Sequence, residues 1–364
     1  MDRAPRIAGR NVVARTLSRR LLAWFDREKR ELPWRGTADP YRIWVSEVML
    51  QQTTFAAVRP RFLQLLERFP NVQSLAAATE DEVLAAWSGL GYYARARNLR
   101  RAAIEIVQDH AGVIPGEPRL LRQLPGFGRY MAAAVASLAF GARVPAVEAN
   151  VERVLSRLFA LPDRAGSSAL RDRVTSRARE LLPVRRAGEF TAALMDLGQL
   201  ICTPRRPSCR ECPLAGPCEA RRRGSPERFP GRLRKPTPVR VSLAAAVAEK
   251  GGRFLLVRRR SSWLGGLWEF PSAGADSPEK ARRALARRLR PLELALLASP
   301  PIGRARHTVV NRRIEVALFL AGTVARNGCQ RPRRDARWFL PGELGRAAIP
   351  TLTRKIADAA LRSG

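Results

Sequence analysis

Four of the five cysteines, Cys202, Cys209, Cys212 and Cys218, fall within seventeen residues and are spaced C-x6-C-x2-C-x5-C. A loop of that kind is either cross-linked or gathered around a metal. No secretory signal segment is read ahead of it, so the thiols are expected to be intracellular and to form a metal site rather than a disulfide framework. Four thiolates suit a tetrahedral zinc or a 4Fe–4S cluster, and the spacing leaves both open. Pro204, Pro207, Pro213 and Pro217 keep the loop out of helix. Arg205, Arg206 and Arg210 make it basic, which suits a purely structural knot or one that also presents arginines to phosphate. A closed four-thiolate site has no open coordination position for chemistry. Cys329 stands alone among polar residues and reads as an incidental thiol.

Charge narrows the partner. Lys and Arg number 66 against 32 Asp and Glu, a net charge of +34. A chain that basic ordinarily faces a polyanion, most commonly nucleic acid. Apolar residues make up 46% of the 364 positions, enough for packed cores. At about 150 residues per domain, two domains are expected. No stretch approaches the roughly 18 continuous apolar residues of a spanning helix, so no membrane partner is expected. Arg3–Arg20 is Arg-rich and nearly free of acids, as a transit peptide would be. Val13, Leu17, Leu21, Trp24 and Phe25 instead carry helical spacing forward, and the segment reads as the first helix.

Up to about residue 200 the chain reads as amphipathic helices, among them Arg42–Val58, Glu80–Trp87, Ala94–Asp109, Met131–Phe140, Val151–Ala160 and Phe190–Leu200. Residues 221–240 hold eight basic residues, one acid and four prolines, and read as a linker. Beyond it the period shortens. Val241–Ala248, Arg253–Val257, Arg306–Val310 and Ile314–Leu320 are strand-like, with helices at Pro278–Leu289 and Leu352–Leu361. This gives an all-α domain over 1–220 with its cysteine loop at 202–218, and an α+β domain over 241–364.

Chemistry can sit at two carboxylates. Leu120–Tyr130 places Gly126 and Gly128 at a helix–turn–helix junction, where bare N–H groups at a helix start can seat a DNA phosphate. Elsewhere such a G-x-G is only a tight turn. Glu148 follows, at the start of the next helix. Glu47 is bracketed by apolar residues at helical spacing, so burial can keep it protonated near neutral pH. A capping or salt-bridged carboxylate is the plainer reading of Glu47. With two histidines in the chain, carboxylates are the best available acid–base pair.

The segments Leu32-Pro33-Trp34-Arg35, Pro40–Thr53, Gly89–Arg97, Leu120–Tyr130 and Met195-Asp196-Leu197-Gly198 together resemble the adenine DNA glycosylases, the MutY family of helix-hairpin-helix iron–sulfur enzymes. The likeness runs from about residue 20 to 218. Gly265–Pro271 is similar to the start of that family's Nudix-like domain. The resemblance implies an all-α helix-hairpin-helix glycosylase domain, a 4Fe–4S cluster rather than zinc on the four cysteines, and an α+β Nudix-like lesion-recognition domain. It implies a monofunctional base-excision enzyme that hydrolyses the N-glycosidic bond of adenine paired with 8-oxoguanine or guanine, with the base flipped out of the duplex. Glu47 then matches the general acid that protonates adenine N7, and Glu148 the carboxylate that stabilises the oxocarbenium-like sugar. Tyr130 and Asn150 match residues lining that site. Gln52 and Tyr92 match the wedge that probes the opposite base, though helix-end packing is their plainer reading. Mismatched double-stranded DNA is the expected partner of a monomeric enzyme in the bacterial cytoplasm, associated with the nucleoid.

Three positions depart from the family pattern. Glu148 stands where Asp is usual; Thr191-Ala192 replaces Asn-Gln; and Val309-Val310-Asn311 replaces an aromatic–hydroxyl–histidine run associated with recognising 8-oxoguanine, leaving Asn311 as the candidate contact. Other readings remain at this point. An endonuclease III-like enzyme carries a Lys nucleophile where this chain has Tyr130, and Tyr cannot form a Schiff base. A Nudix hydrolase joined to a DNA-binding module needs an acidic metal-binding helix, which Ala281–Leu289 does not offer. A non-catalytic damage binder is argued against by the retained Glu47. A divergent glycosylase acting on another base or mismatch is the remaining alternative.

Overall fold

The computed structural model describes residues 4–232, 237–259, 265–297, 300–324 and 335–362; Cys329 and residues 233–236 of the expected linker lie outside them. The chain forms two compact units, one of residues 1–76 and 101–234, the other of 77–100 and 235–364. Residues 77–100 thus group with the C-terminal part, which differs from the contiguous division expected at 220. The reason is local: Ser88 and Tyr93 hydrogen-bond the Ile349 carbonyl, and Arg258 pairs with Asp81. No helix among the described residues is long and apolar enough to cross a membrane.

In the first unit the helices are α1 (Ala4–Glu28), α2 (Pro40–Leu50), α3 (Phe55–Arg68) and α4 (Val72–Ala77); α5 (Glu80–Ala86) lies in the second unit, and α6 (Ala94–Asp109) runs across the division. They are followed by α7 (Pro118–Leu121), α8 (Arg129–Phe140), α9 (Ala149–Leu158), α10 (Ser168–Leu181), α11 (Ala187–Leu200) and α12 (Glu219–Arg222). The helix expected over Arg42–Val58 is two helices. Gln52 takes φ +57 and Thr54 an extended conformation ahead of α3, so the polar Gln51–Thr54 run becomes a turn. The α2 start is set by Asp39, whose carboxylate accepts from Tyr41 N at 2.9 Å, with Pro40 preset for the first turn.

Helix α8 is the central strut, packed by α2 and α11. Its alanines Ala132, Ala134 and Ala136 are fully buried, and their small side chains let the neighbours approach closely. Gly188 of α11 lies against the Ser137 carbonyl of α8, where a Cβ has no room. A Cβ on Gly198 would stand 2.6 Å from Asn150 Cβ, so α11 also touches the start of α9. Leu21, Leu155, Val174, Phe190 and Leu197 join α1, α9, α10 and α11 in one core, and Cys202, Cys212 and Cys218 pack on its edge. Each such buried aliphatic or aromatic side chain contributes about 1.5–3 kcal/mol.

The start of the expected linker is structured. Arg157, 2% exposed, donates to the Phe229 carbonyl at 3.1 Å, and Phe229 packs with Ala220 and Ala160. Gly231 N donates to Asp163 O at 2.8 Å. A buried guanidinium needing acceptors and an apolar anchor override the Pro-rich composition.

The second unit is α+β. Its strands are β1 (Val239–Lys250), β2 (Arg253–Arg258), β3 (Trp268–Glu269), β4 (Ser272–Ala275), β5 (Leu294–Leu296), β6 (Gly303–Val309), β7 (Arg312–Thr323) and β8 (Ala336–Phe339). Strands β1 and β7 pair in parallel from Val239↔Arg312 to Ala248↔Ala321, with β4 antiparallel on β1 and with β5 and β6 antiparallel on β7. The β1–β2 hairpin turns on Gly251 and Gly252, both at positive φ, as a two-residue turn requires. The β6–β7 hairpin turns on Val310 and Asn311, with Val310 at φ +54. Helix α13 (Pro278–Leu289) buries Ala281, Leu285 and Leu289 against Ala244, Ala246 and Phe319; α14 (Thr351–Leu361) packs on β6.

Candidate active site and thiol loop

A cleft of about 940 Å3 opens in the first unit, lined from three directions by Glu47 of α2, Tyr130 of α8 and Glu148 and Asn150 at the start of α9. Gln52 lines it too, from the turn that splits α2 from α3. Five of the sequence-nominated residues therefore share one cavity within the range of ligand-binding clefts.

Glu47 is 7% exposed, and Tyr130 OH donates to its Oε2 at 2.5 Å. Burial pushes the Glu47 carboxyl up to about 7; the Tyr130 hydrogen bond opposes this and the charge of Glu148 adds to it. Burial, with Glu47 beside it, holds the Tyr130 hydroxyl well above its usual range, so it remains a donor. Glu148 is the residue capping α9: its Oε1 accepts from Val151 N at 3.0 Å and its Oε2 from Asn150 Nδ2 at 3.0 Å. Burial raises the Glu148 carboxyl while those two donors lower it. Two carboxyl groups of unequal environment share the cavity, which is the arrangement that separates an acid from a charge stabiliser.

Other lining residues went unassigned at the level of sequence. Asp196, 1% exposed, accepts from Arg30 at 2.5 Å and from Arg35 at 2.5 and 3.1 Å, joining the end of α1 and the Trp34 turn to α11. Arg35, Asp196, Trp34 and Met195 all line the cleft. The signal was present, since the runs Leu32–Arg35 and Met195–Gly198 were singled out without roles. Arg153 was missed altogether. Its Nη2 donates to Asn150 Oδ1 and to Gly198 O, both at 2.7 Å, and its Nε to Cys202 O at 2.8 Å. It ties the Glu148–Asn150 pair to the first residue of the thiol loop.

The four cysteines are half-buried free thiols. Among the described residues no three His, Cys, Asp or Glu side chains are gathered as a single-ion site. The donor set still fits a thiolate-held group, because Cys202, Cys212 and Cys218 pack on one core and Arg157 reaches Cys202 Sγ at 3.4 Å. Arg157 also donates to the carbonyls of Thr203 and Pro204 at 2.6 and 3.0 Å, so a buried cation pins the loop.

Gly126, at φ +81, makes the turn before α8, and Gly128 starts that helix with open space where a Cβ would stand. Tyr92 and Asn311 belong to the second unit. Tyr92 is 48% exposed at φ +47. Asn311 is half-buried in the β6–β7 turn, and its Nδ2 donates to Thr237 O at 3.2 Å. Of the two residues replacing Asn-Gln, Thr191 is buried, bonded to Ser137 Oγ at 3.0 Å, while Ala192 lines the cleft.

Known proteins share both halves. Residues 45–180 match the HhH-GPD superfamily of base excision DNA repair proteins, and residues 243–359 the NUDIX domain. Adenine DNA glycosylase of Homo sapiens is 34% identical over 396 residues, which cover 92% of this chain and 72% of the human one. That of Mycobacterium tuberculosis strain H37Rv is 44% identical over 197 residues, 53% of this chain and 64% of its own. Among solved structures, a thermostable thymine-DNA glycosylase aligns with a TM-score of 0.53 at 26% identity, over 60% of this chain and 99% of that one. A trapped endonuclease III–DNA covalent intermediate aligns with a TM-score of 0.50 at 25% identity, over 59% and 98%.

Proposed function

Because this chain belongs to the adenine DNA glycosylases, base-excision repair enzymes acting on N-glycosyl bonds, we propose that the cleft takes an adenine flipped from duplex DNA opposite 8-oxoguanine or guanine. The observation that carries this reading is the Glu47–Tyr130 pair: a buried carboxyl poised near neutrality, with one oxygen held by a phenol. The pair has the makings of a general acid.

Glu47 transfers its proton to adenine N7. The C1′–N9 bond then breaks, with its electrons leaving on the base. Positive charge grows on the sugar, where the Glu148 carboxylate, anchored by Val151 N and Asn150, stabilises it electrostatically. Water adds to C1′ and gives up a proton, which returns to a carboxylate of the site. Tyr130 cannot form a Schiff base, so the product is an intact abasic site. Gly126 and Gly128 present the start of α8 to a backbone phosphate, and by the resemblance Gln52 and Tyr92 each correspond to residues that probe the opposite base.

Cys202, Cys209, Cys212 and Cys218 would hold a 4Fe–4S cluster. Such a cluster, when bound, supplies structural closure of a basic loop rather than chemistry at the sugar. The deciding experiment is single-turnover incubation of the protein with duplexes carrying adenine opposite 8-oxoguanine, guanine or thymine. Rapid excision in the first two and slow excision in the third is expected; removal of another base with adenine left untouched would overturn the reading.

A further inference from the structure

Between Trp87 and Tyr93 the backbone passes through three left-handed residues, Gly89 at φ +94, Gly91 at +69 and Tyr92 at +47. Glycine adopts this region freely, but a tyrosine there is strained and must be held. Part of the hold is local. Trp87 Nε1 donates to Gly91 O at 3.0 Å, and Arg95 Nη2 donates to the carbonyls of Leu90 and Gly91 at 3.2 and 3.3 Å. The Arg95 guanidinium also lies over the rings of Trp87 and Tyr92, 5.3 and 5.5 Å from their centroids.

The rest comes from far along the chain. Ser88 Oγ and Tyr93 OH, which flank the loop, both donate to the Ile349 carbonyl, at 3.3 and 2.9 Å. Arg354 Nη2 donates to Ser88 Oγ at 2.8 Å. Ser88, Tyr93 and Ile349 are all buried, so both lone pairs of that carbonyl are used away from water. The neighbouring Ala348 carbonyl accepts from Trp268 N at 2.9 Å, which ties the anchor to β3. Gly266 supports the same face: a Cβ there would stand 3.1 Å from both Arg97 and Glu80, themselves an ion pair.

We infer that the Ala348–Arg354 segment of the Nudix-like domain sets the position of the Tyr92 loop, with the Ile349 carbonyl as anchor and Ser88, Tyr93 and Arg354 as positioning residues. The C-terminal part thereby acts on opposite-base reading through this loop as well as through its β6–β7 turn. The inference rests on the reading of Tyr92 as a probe of the opposite base.

The test uses the full chain and four variants: Tyr93→Phe, Ser88→Ala, the two combined, and Tyr92→Ala. Tyr93→Phe removes one oxygen and keeps the buried ring, so its fold is retained. The readout is the single-turnover excision rate opposite 8-oxoguanine divided by that opposite thymine, with thermal midpoints alongside. Each lost hydrogen bond should lower that ratio about threefold to tenfold, chiefly through the rate opposite 8-oxoguanine. A purely structural role would lower both rates together and leave the ratio intact. If Tyr92→Ala lowers the ratio while the Ser88 and Tyr93 variants do not, the anchoring is wrong. If Tyr92→Ala leaves it unchanged, the reading of Tyr92 fails, and the inference fails with it.

Discussion

The Tyr130 hydroxyl donates to Glu47 Oε2 at 2.5 Å inside the cleft, and this bond opposes the burial that raises the Glu47 carboxyl to about 7. The sign of the pH dependence follows. In the proposed mechanism the acid form is the proton donor, so excision should be full well below pH 7 and fall about tenfold per pH unit well above it. Glu47→Gln removes the proton and should abolish excision, a loss of at least about 10²–10⁴, while leaving duplex binding intact. Stability gives an independent check. The folded state holds this proton more tightly than the unfolded chain, so the contribution of Glu47 is complete below about 4.5 and is lost as pH rises through about 7. At pH 8 Glu47→Gln should therefore be more stable than wild type, by up to about 3 kcal/mol. A variant less stable at pH 8 than at pH 5, relative to wild type, would contradict the raised carboxyl.

Tyr130→Phe separates two roles of the phenol. Without the hydroxyl the larger of the two forces lowering the Glu47 carboxyl is gone, leaving the Arg35 charge, so the alkaline limb of the pH–rate profile should move upward while the plateau rate falls roughly tenfold. Wild type and variant should both leave an intact abasic site that breaks only on heating in alkali. Lys29 is the one lysine among the described residues lining the cleft. Borohydride trapping that is efficient in wild type and vanishes in Lys29→Ala would make the enzyme bifunctional and overturn the assignment.

Much of this site could be found in the sequence, for a physical reason. Glu47, Tyr130 and Glu148 each sit at a fixed offset from a local signal: an apolar helical stripe, a Gly-x-Gly turn, a helix start. Helix boundaries at Ala94–Asp109 and Pro278–Leu289 were legible for the same reason, because the periodicity and its breakers are local. The split between α2 and α3 was not. Gln51–Thr54 contains neither Gly nor Pro, and only the positive φ of Gln52 reveals the turn. The roles of Arg153 and Asp196 were not legible because their partners lie about 45 and 160 residues away, and a charged residue on a helix reads as solvated until its partners are seen; for Asp196 only the run containing it stood out. The grouping of 77–100 with the C-terminal part rests on the Ile349 main-chain carbonyl and on side-chain pairs such as Arg258 with Asp81, whose partners are far apart in sequence, so local patterning leaves no mark of it.

Glu148 caps α9 with one oxygen and accepts from Asn150 with the other. Asp is a better helix cap than Glu in general, so Glu148→Asp should keep the unfolding free energy within about 1 kcal/mol of wild type. The shorter side chain withdraws the carboxylate from the sugar while the cap holds, so excision should slow by about tenfold or more. Glu148→Ala should lose both, about 0.5–2 kcal/mol of stability and most of the activity. An Asp variant faster than wild type would show that the longer residue is a compromised substitute.

Arg153 connects that pair to Cys202 O and Gly198 O. Arg153→Gln should lower excision while the iron content of anaerobically purified protein is retained, because the arginine bonds the loop's backbone and not its thiols. Wild type should be yellow-brown, with broad absorbance near 400 nm, roughly the iron–sulfur charge-transfer region. Cys209→Ser should lose that colour together with solubility and DNA affinity. Stoichiometric zinc in a colourless, active wild type would reject the iron assignment.

The β6–β7 turn carries the most specific expectation about damage recognition. Val310 takes φ +54 and is 74% exposed, an apolar side chain offering no hydrogen bond to a lesion. Asn311 is half-buried beside it, with its amide nitrogen on Thr237 O. That bond occupies the amide nitrogen of Asn311, and His307, Val309 and Arg312 line a cavity of about 650 Å3 in the same unit. A well-placed base-edge contact is worth about 1–3 kcal/mol, a tenfold to hundredfold discrimination. One contact from Asn311, where relatives of the resembled family present a hydroxyl and a histidine, should give a preference for 8-oxoguanine over guanine that is real but smaller than theirs. The net charge of +34 strengthens binding to either duplex alike, so affinity should be tight and fall steeply with salt. Excision opposite the two bases, measured in wild type and Asn311→Ala at fixed ionic strength, decides the matter. A modest wild-type preference reduced severalfold in the variant is expected. A large preference that collapses in Asn311→Ala would show instead that asparagine fully replaces the missing groups.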